Sequence, residues 1–382
     1  NIKTVHTNHP KHMKPKGVSI IICCHNGATR LAETIRHIAR QRVPWHISWE
    51  LLIIDNGCTD DSVAVARAEW QKHRVNTYMR VVKEKALGLS YARARGFREA
   101  RYEYMVLCDD DNWLQEDYVN QVYNILSENP NIGALGGLGT LLFEVEPPTP
   151  ELSYIFAAGP QAPRSGKVLQ NKVYGAGCAI RSTAYEAILS RGFRSLLTDR
   201  KGVELASGGD YELCLALAIV GYDIWYDDRL RFTHFITSER LTWDYYLRYA
   251  VESSKCFNVI ESYKMIASQS PIHHMPRLSV LKDFVVCVRT FVATNWKRLT
   301  SSKVTLKRAL YFRHLIFKNL LIAYAVKFNK MVQTHRMILR FQESCRGSQE
   351  TLKPMVVKEY VLRSGALSLQ NLRDRFLNVF GT

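Results

Sequence analysis

The sequence predicts an α/β protein in which a parallel, Rossmann-like sheet is continued into a second half and followed by a mainly helical region. Three observations carry this. Continuous apolar, β-branched runs alternate with helix-forming segments through residue 112, the pattern of buried strands joined by right-handed helical crossovers. Polar breaks rich in Asp, Asn and Gly follow several of these runs directly. The charge also changes character near residue 240. From Leu241 to Thr382 there are 23 Lys and Arg against 8 Asp and Glu, so this stretch holds +15 of the formal +17.

The elements follow in order. Residues 1–16 form a basic leader, and residues 17–240 the α/β domain. Val18 to Cys24 (VSIIICC) is apolar on both faces, as a central strand covered on both sides must be. His25, Asn26 and Gly27 end it, and a helix is expected over Thr29 to Gln41. Glu50 to Ile54 is a second buried strand, closed by Asp55-Asn56-Gly57. A helix from Thr59 to His73 follows, with Asp60 and Asp61 in its first turn, where carboxylates suit the helix dipole. Tyr78 to Val82 is a third strand, Ser90 to Ala100 a third helix, and Tyr104 to Cys108 a fourth strand running into Asp109-Asp110-Asp111.

Residues 113–240 read differently. A helix to Glu128 precedes a glycine-rich strand from Ile132 to Gly139 and a proline-rich loop. Lys172 to Ile180 and Tyr222 to Tyr226 are expected as strands, and Asp210 to Val220 as a helix. Residues 241–382 show helical periodicity with many basic and aromatic side chains.

Composition narrows the class. With 47% hydrophobic and 23% charged residues the chain has the balance of an ordinary globular protein. The nine cysteines include no C-x-x-C pair, which argues against a zinc ribbon and fits a reducing cytoplasm. No apolar stretch of about 20 residues is expected to span a membrane. The pI near 9.5 raises nucleic-acid binding, but the basic residues lie away from the strand edge and no nucleic-acid motif occurs. A dinucleotide dehydrogenase fits poorly, because no G-x-G-x-x-G follows the first strand.

In parallel sheets ligands bind at the carboxyl ends of the strands, so His25, Asn26, Asp55 and the three acids should share one edge. Three adjacent acids repel one another, and a divalent cation removes that repulsion. Hard oxygen donors suit magnesium or manganese. The competing reading is a solvated acidic loop. Asp55 is either a hydrogen-bond acceptor for a base N–H or a turn former before Asn-Gly. Gly88 and Arg93, in KALGLSYARAR, place a glycine loop and a guanidinium at a helix start, where a diphosphate can bind.

Taken together, VSIIICCHNG, LLIIDNGCTD, KALGLSYARARG and VLCDDDN resemble the nucleotide-binding half of the family 2 glycosyltransferases, whose fold is GT-A. The resemblance covers about Gly17 to Leu247, with residues 17–112 as the nucleotide-binding half and 113–240 as the acceptor half. It implies a nucleotide-diphosphate-sugar donor, UDP-sugars being favoured, and a glycan or lipid-linked acceptor. Asp109 and Asp111 would be the acids of a D-x-D motif, Asp111 holding Mn2+ or Mg2+ and Asp109 the ribose or metal shell. Asp110 joins the donor site, the backbone of Cys24, His25 and Asn26 would line the base, and Asp55 would contact it. Gly177, in YGAGCAI, resembles a glycine near the donor sugar. Asp210, in SGGDYEL, resembles the catalytic base of a G-E-D-x-E-L segment, although Gly209 replaces the usual Glu; a helix cap is the alternative. His234 is expected near the metal or diphosphate, or else as a core histidine.

The implied reaction is an inverting transfer in polysaccharide or glycoconjugate assembly. The alternative is an inactive nucleotide-sugar-binding or scaffolding homologue. The basic tail, in particular Leu306 to Phe328, is expected either to lie on an anionic membrane surface, which would make the chain peripheral on the inner face of the membrane, or to pack on the α/β domain with its charge solvated.

Overall fold

In the computed structural model, residues 14–346 are described, apart from Val203 and Lys303. Most of the basic leader and all of residues 347–382 lie outside them. The order is β1 (Val18–Cys24), α1 (Ala28–Ala39), β2 (Trp49–Asp55), α2 (Ser62–Lys72), β3 (Tyr78–Lys83), α3 (Leu89–Glu99) and β4 (Tyr104–Cys108). Then come β5 (Asn112–Leu114), α4 (Tyr118–Glu128), β6 (Ile132–Phe143), β7 (Gly166–Lys167), β8 (Ala179–Arg181), α5 (Ser182–Ser190), α6 (Gly209–Ile219) and β9 (Asp223–Ile236). Four helices close the described chain: α7 (Trp243–Ser253), α8 (Phe257–Ala267), α9 (Pro276–Thr300) and α10 (Val304–Arg346).

One mixed sheet runs in the order β3-β2-β1-β4-β8-β6-β9-β5, with β7 on β9. The first four strands are parallel, and β8 joins β4 antiparallel. The parallel first half and its continuation into a mixed sheet are as the sequence leads one to expect. β1 is buried along nearly its whole length because helices cover both faces of the sheet. On α1, Leu31, Ile35 and Ile38 recur at spacings of four and three residues and are buried against it.

Several elements depart from the sequence reading: β5 and β7 were not expected, β6 runs on to Phe143, α2 starts at Ser62 so that Asp60 and Asp61 precede its first turn, and two further strands differ in extent. Of the strand expected over Lys172 to Ile180, Ala179–Arg181 alone pairs. Its two internal glycines carry a turn instead, with Gly177 at φ 68°. The strand expected to end at Tyr226 continues to Ile236; Asp227 to Leu230 fall in a register shift, and pairing with β6 resumes at Arg231 and with β5 at Phe232.

The helical region does not pack by itself. Phe312, Ile316, Leu320 and Tyr324 of α10 bury against Tyr246 of α7 and Val280 and Cys287 of α9. After a kink at Lys327, Ile338, Leu339 and Phe341 enter the core that holds Leu213 and Leu217 of α6 and Ile54 of β2. Among the described residues one helical stretch, Leu306–Cys345, is long and apolar enough to cross a membrane, at a mean hydropathy of 1.2. No such stretch was expected from the sequence. Here many of its apolar residues serve the core.

Candidate active site

Register sets the site. Cys24 pairs with Asp55 and Ile22 with Cys108, so the loops after β1, β2 and β4 emerge side by side where strand order reverses. His25, Asn26, Asp55 and Asp109 to Asp111 all lie on this edge, as the sequence suggests.

After β1, Asn26 takes a left-handed conformation at φ 54°, and its Oδ1 accepts the Thr59 N–H at 2.8 Å. His25 Nδ1 donates to the Asn56 carbonyl at 3.0 Å. Burial pushes the Cys24 and Cys58 thiols up, which leaves them inert as nucleophiles. Asp55 is nearly buried, and its Oδ1 accepts the Cys58 N–H at 2.9 Å. The turn reading of Asp55 is thus realised, with its other oxygen uncommitted among the described residues.

Asn56 is a residue the sequence reading passed over. Its Nδ2 donates to the Ala86 carbonyl at 2.7 Å and its Oδ1 accepts the Gly88 N–H at 2.8 Å. This staples the glycine loop to the end of β2. Gly88 itself adopts φ 138°, a conformation favouring glycine. The start of α3 is not open, however. Arg200 caps the Leu89 N–H through its carbonyl at 2.9 Å, and Thr198 accepts from the Ser90 hydroxyl at 3.1 Å. Arg93 points further in, into the acid cluster.

The three acids have three different environments. Asp110 pairs with Arg30 at 2.7 Å and lies where a Cβ on Gly27 would come within 2.2 Å of its Oδ2. Gly27 thus makes room for that carboxylate, and the pair ties α1 to β4. Asp111 meets Arg240 at 2.6 Å and His234 Nε2 at 3.6 Å. Burial alone would raise its pKa, but His234 and then Arg240 outweigh it and hold the carboxyl well below the usual range. Burial, and next the neighbouring Asp111, push Asp109 up.

His234 is oriented as a metal-binding imidazole would be. Its Nδ1 donates to the Ala157 carbonyl at 3.1 Å, which directs Nε2 toward Asp111. β5–β9 pairing sets this up, because His234 lies opposite Asn112. Asp111 and His234 fit an ion of the kind held by one or two side chains and completed by phosphate oxygens and water. Among the described residues no three His, Cys, Asp or Glu groups cluster as a complete protein cage. Without a metal, the Arg240 guanidinium balances Asp111, stacked 4.8 Å above the Phe156 ring.

Asp210 lies on α6, near Arg93 and Asp199. The helix cap is Gly208, at φ 111°, so Asp210 falls in the first turn of α6. Its Oδ2 accepts the Gly175 N–H at 2.7 Å and its Oδ1 the Tyr211 N–H at 2.9 Å. Burial raises its pKa against the pull of Arg93. Gly175, rather than Gly177, is the glycine at the acid: a Cβ there would lie 3.0 Å from Arg93 and 3.3 Å from Asp210. Gly177 instead forms a turn against Tyr118, whose hydroxyl donates to its carbonyl.

The loop between α5 and α6 brings in two further residues, Asp199 and Arg200. Glu212 anchors the loop by accepting from the Leu196 N–H at 2.8 Å and the Ser195 hydroxyl at 2.7 Å. Asp199 then pairs with Arg93 at 2.7 Å and accepts the Gly209 N–H at 2.7 Å. The signal in the sequence was Gly209 itself, an empty position beside the acid.

The site of this α/β sheet thus combines a paired acid cluster with a separate buried carboxylate. Residues 19–175 match the family model described as glycosyl transferase family 2. A cholesterol galactosyltransferase of Borreliella burgdorferi is 30% identical over 107 residues, 28% of each chain. A poly-β-1,6-N-acetyl-D-glucosamine synthase of Staphylococcus epidermidis is 24% identical over 127 residues, 33% of this chain and 29% of the relative. The matched segment spans under a third of either relative. Among solved structures, residues 1–349 of S. aureus TarS in complex with UDP-GlcNAc superpose with a TM-score of 0.49 at 14% identity, covering 89% of this chain and 94% of that one.

Proposed function

We propose that the chain transfers a sugar, with inversion, from a nucleotide-diphosphate-sugar to a hydroxyl of a glycan or lipid-linked acceptor. The observation that carries this reading is Asp210. It is a buried carboxylate with a raised pKa, tethered by the Gly175 N–H. A base of raised pKa is better matched to neutral pH than an ordinary carboxylate. Asp210 would take the proton of the acceptor hydroxyl as its oxygen attacks the anomeric carbon. Asp55, with its free oxygen, and the backbone of Cys24 to Asn26 would hold the base of the nucleotide. Arg93, Arg200 and Arg240 would face the diphosphate, and Gly88 would shape the loop beside it.

Asp111 and His234, with Asp109 beside them, would hold Mn2+ or Mg2+. Bound there, the ion would offset charge on the leaving diphosphate. A UDP-sugar is the favoured donor, and relatives named for galactosyl transfer and for a poly-N-acetylglucosamine product make UDP-galactose and UDP-N-acetylglucosamine the first to try.

The test is a donor screen on wild type and Asp210→Asn, reading nucleotide binding and nucleotide release separately. Asp210→Asn should cut turnover by about 10²-fold or more while donor affinity stays near wild type. Parallel loss of both would make Asp210 a donor ligand. No turnover by wild type with any donor, despite binding, would favour the scaffolding alternative.

A further inference from the structure

The expected membrane-facing segment, Leu306 to Phe328, turns its apolar side inward: Leu310, Phe312, Ile316, Phe317 and Leu320 are all buried. The segment also exposes Tyr311, Ile322 and Val326, but the longer exposed apolar stripe is on its neighbour α9. Leu278, Leu281, Val285, Val292, Trp296 and Leu299 are exposed and succeed one another at intervals of three, four and seven residues. That spacing puts them on one face of the helix. The stripe runs the length of the helix, about 31 Å at the rise of an α-helix. Val292, Trp296 and Leu299 are 61%, 69% and 75% exposed, and contiguous exposed apolar residues rimmed by charge mark interaction surfaces.

Charge identifies the occupant. α9 has five basic residues, Arg277, Lys282, Arg289, Lys297 and Arg298, against one acid, Asp283. Lys282 and Arg289 lie beside the stripe by helical angle, and Asp283 lies away from it. Arg289 and Lys297 also line a groove with Arg313 of α10, where burial lowers the Arg313 pKa and its Nε lacks a partner. At the far end of the stripe a cavity of about 510 Å3 is walled by Trp243, Leu247, Leu299 and Tyr311 and rimmed by Arg298 and Arg308. An apolar ridge, flanking cations and an unpaired guanidinium in a groove match the boundary of an anionic bilayer, where acyl chains meet phosphate.

We infer that α9 is the surface by which this chain docks on an anionic lipid bilayer. The docked face leads toward the site: Trp243, in the cavity wall, begins α7 three residues after Arg240, which holds Asp111. The surface does not depend on the proposed reaction, and it would bring a lipid-linked acceptor to it.

The test is co-sedimentation of the full chain with phosphatidylcholine vesicles, with and without phosphatidylglycerol, at low and high salt. Wild type should pellet with the anionic vesicles at low salt and be released by high salt. Arg289→Glu should weaken binding by at least the roughly fivefold expected per basic residue at such a surface. Trp296→Ser should abolish pelleting while leaving nucleotide binding in solution unchanged, since both side chains are exposed. Equal or negligible pelleting with both vesicle types would overturn the inference. So would Trp296→Ser pelleting like wild type, or converting a wild-type dimer to monomer without altering lipid binding, which would make a second copy the occupant. A failed donor screen with intact vesicle binding would instead remove the reaction and keep the surface.

Discussion

Gly209 has no side chain, and the space one would take is filled by Asp199. A Cβ built there would lie 2.2 Å from Asp199 Oδ2, while the Gly209 N–H donates to Asp199 Oδ1 at 2.7 Å. Ten residues upstream, a loop side chain thus brings a carboxylate to the position where the related motif carries Glu. Asp199 also engages Arg93 at 2.7 Å, so that Arg93 does not commit wholly to Asp210. The two positions should therefore be coupled. Gly209→Ala alone should destabilise the protein by about 2 kcal/mol or more, as overpacking in a closed site does. In an Asp199→Gly background the same change should cost little, because the occupied space has been vacated. A double-mutant cycle on urea stability measures this coupling directly, and additive effects would show that Asp199 and Gly209 do not share that space. In the active protein, Asp199→Asn should leave Arg93 free to pull the Asp210 pKa down, shifting the acid limb of the pH–rate profile to lower pH.

At the scale of elements, the first half was readable because each strand is buried on both faces and ends in a polar break. β4 begins and ends where its apolar run does, and Asp109 to Asp111 fall at its end for the same reason. What was missed depends on tertiary pairing. β9 carries Asp227 to Arg231 through its middle, a local pattern that argues against a strand. The strand passes this stretch in a register shift and resumes because β6 and β5 pair with the residues that follow, from Arg231 and Phe232 on. The approach of Arg240 to Asp111 spans 129 positions and leaves no local trace, nor does the delivery of Asp199 by a loop anchored on Glu212. Helix α9 shows a further effect that pattern alone does not reveal. Asp283 lies on its buried side with Oδ2 unpartnered, and burial, reinforced by Glu261, pushes its pKa to about 8. The unfolded chain sheds this proton first, so the folded state binds more protons between about pH 4 and pH 8, and stability falls as pH rises through that window. Asp283→Asn keeps the shape and removes the charge. It should flatten the fall in melting temperature between about pH 5 and pH 9, and leave the variant more stable than wild type by on the order of 2 kcal/mol at the alkaline end. Parallel melting curves against pH for the two proteins would show that Asp283 ionises normally.

At the scale of the whole molecule, charge draws a line near residue 240 that the core does not respect. Ile338, Leu339, Phe341 and Cys345, from the last turns of α10, share one apolar cluster with Leu213 and Leu217 of α6 and Ile54 of β2. Phe341 also stacks at an angle on Phe193, with ring centroids 5.9 Å apart, at the start of the loop that carries Asp199. The helical region is thus one wall of the structure that holds Asp210, and a core shared in this way should unfold as a unit. A chain ending at residue 240 would expose the apolar side of α6, including Leu213, and lose the residues that press on the loop from Phe193 to Gly208. Such a truncation should fail to fold to a nucleotide-binding state. Phe341→Ala is the milder test. It removes a buried ring, 7% exposed, and should cost about 3 kcal/mol, the usual range for emptying such a position. Because the ring supports the Asp199 loop rather than the edge after β1 and β2, turnover should fall more than nucleotide affinity. Urea unfolding followed by tryptophan fluorescence and by far-UV circular dichroism should give coincident single transitions in wild type and variant. Two separated transitions, or a soluble chain ending at residue 240 that binds nucleotide like the full chain, would mean that the α/β domain stands alone and that the helices are an appendage to it.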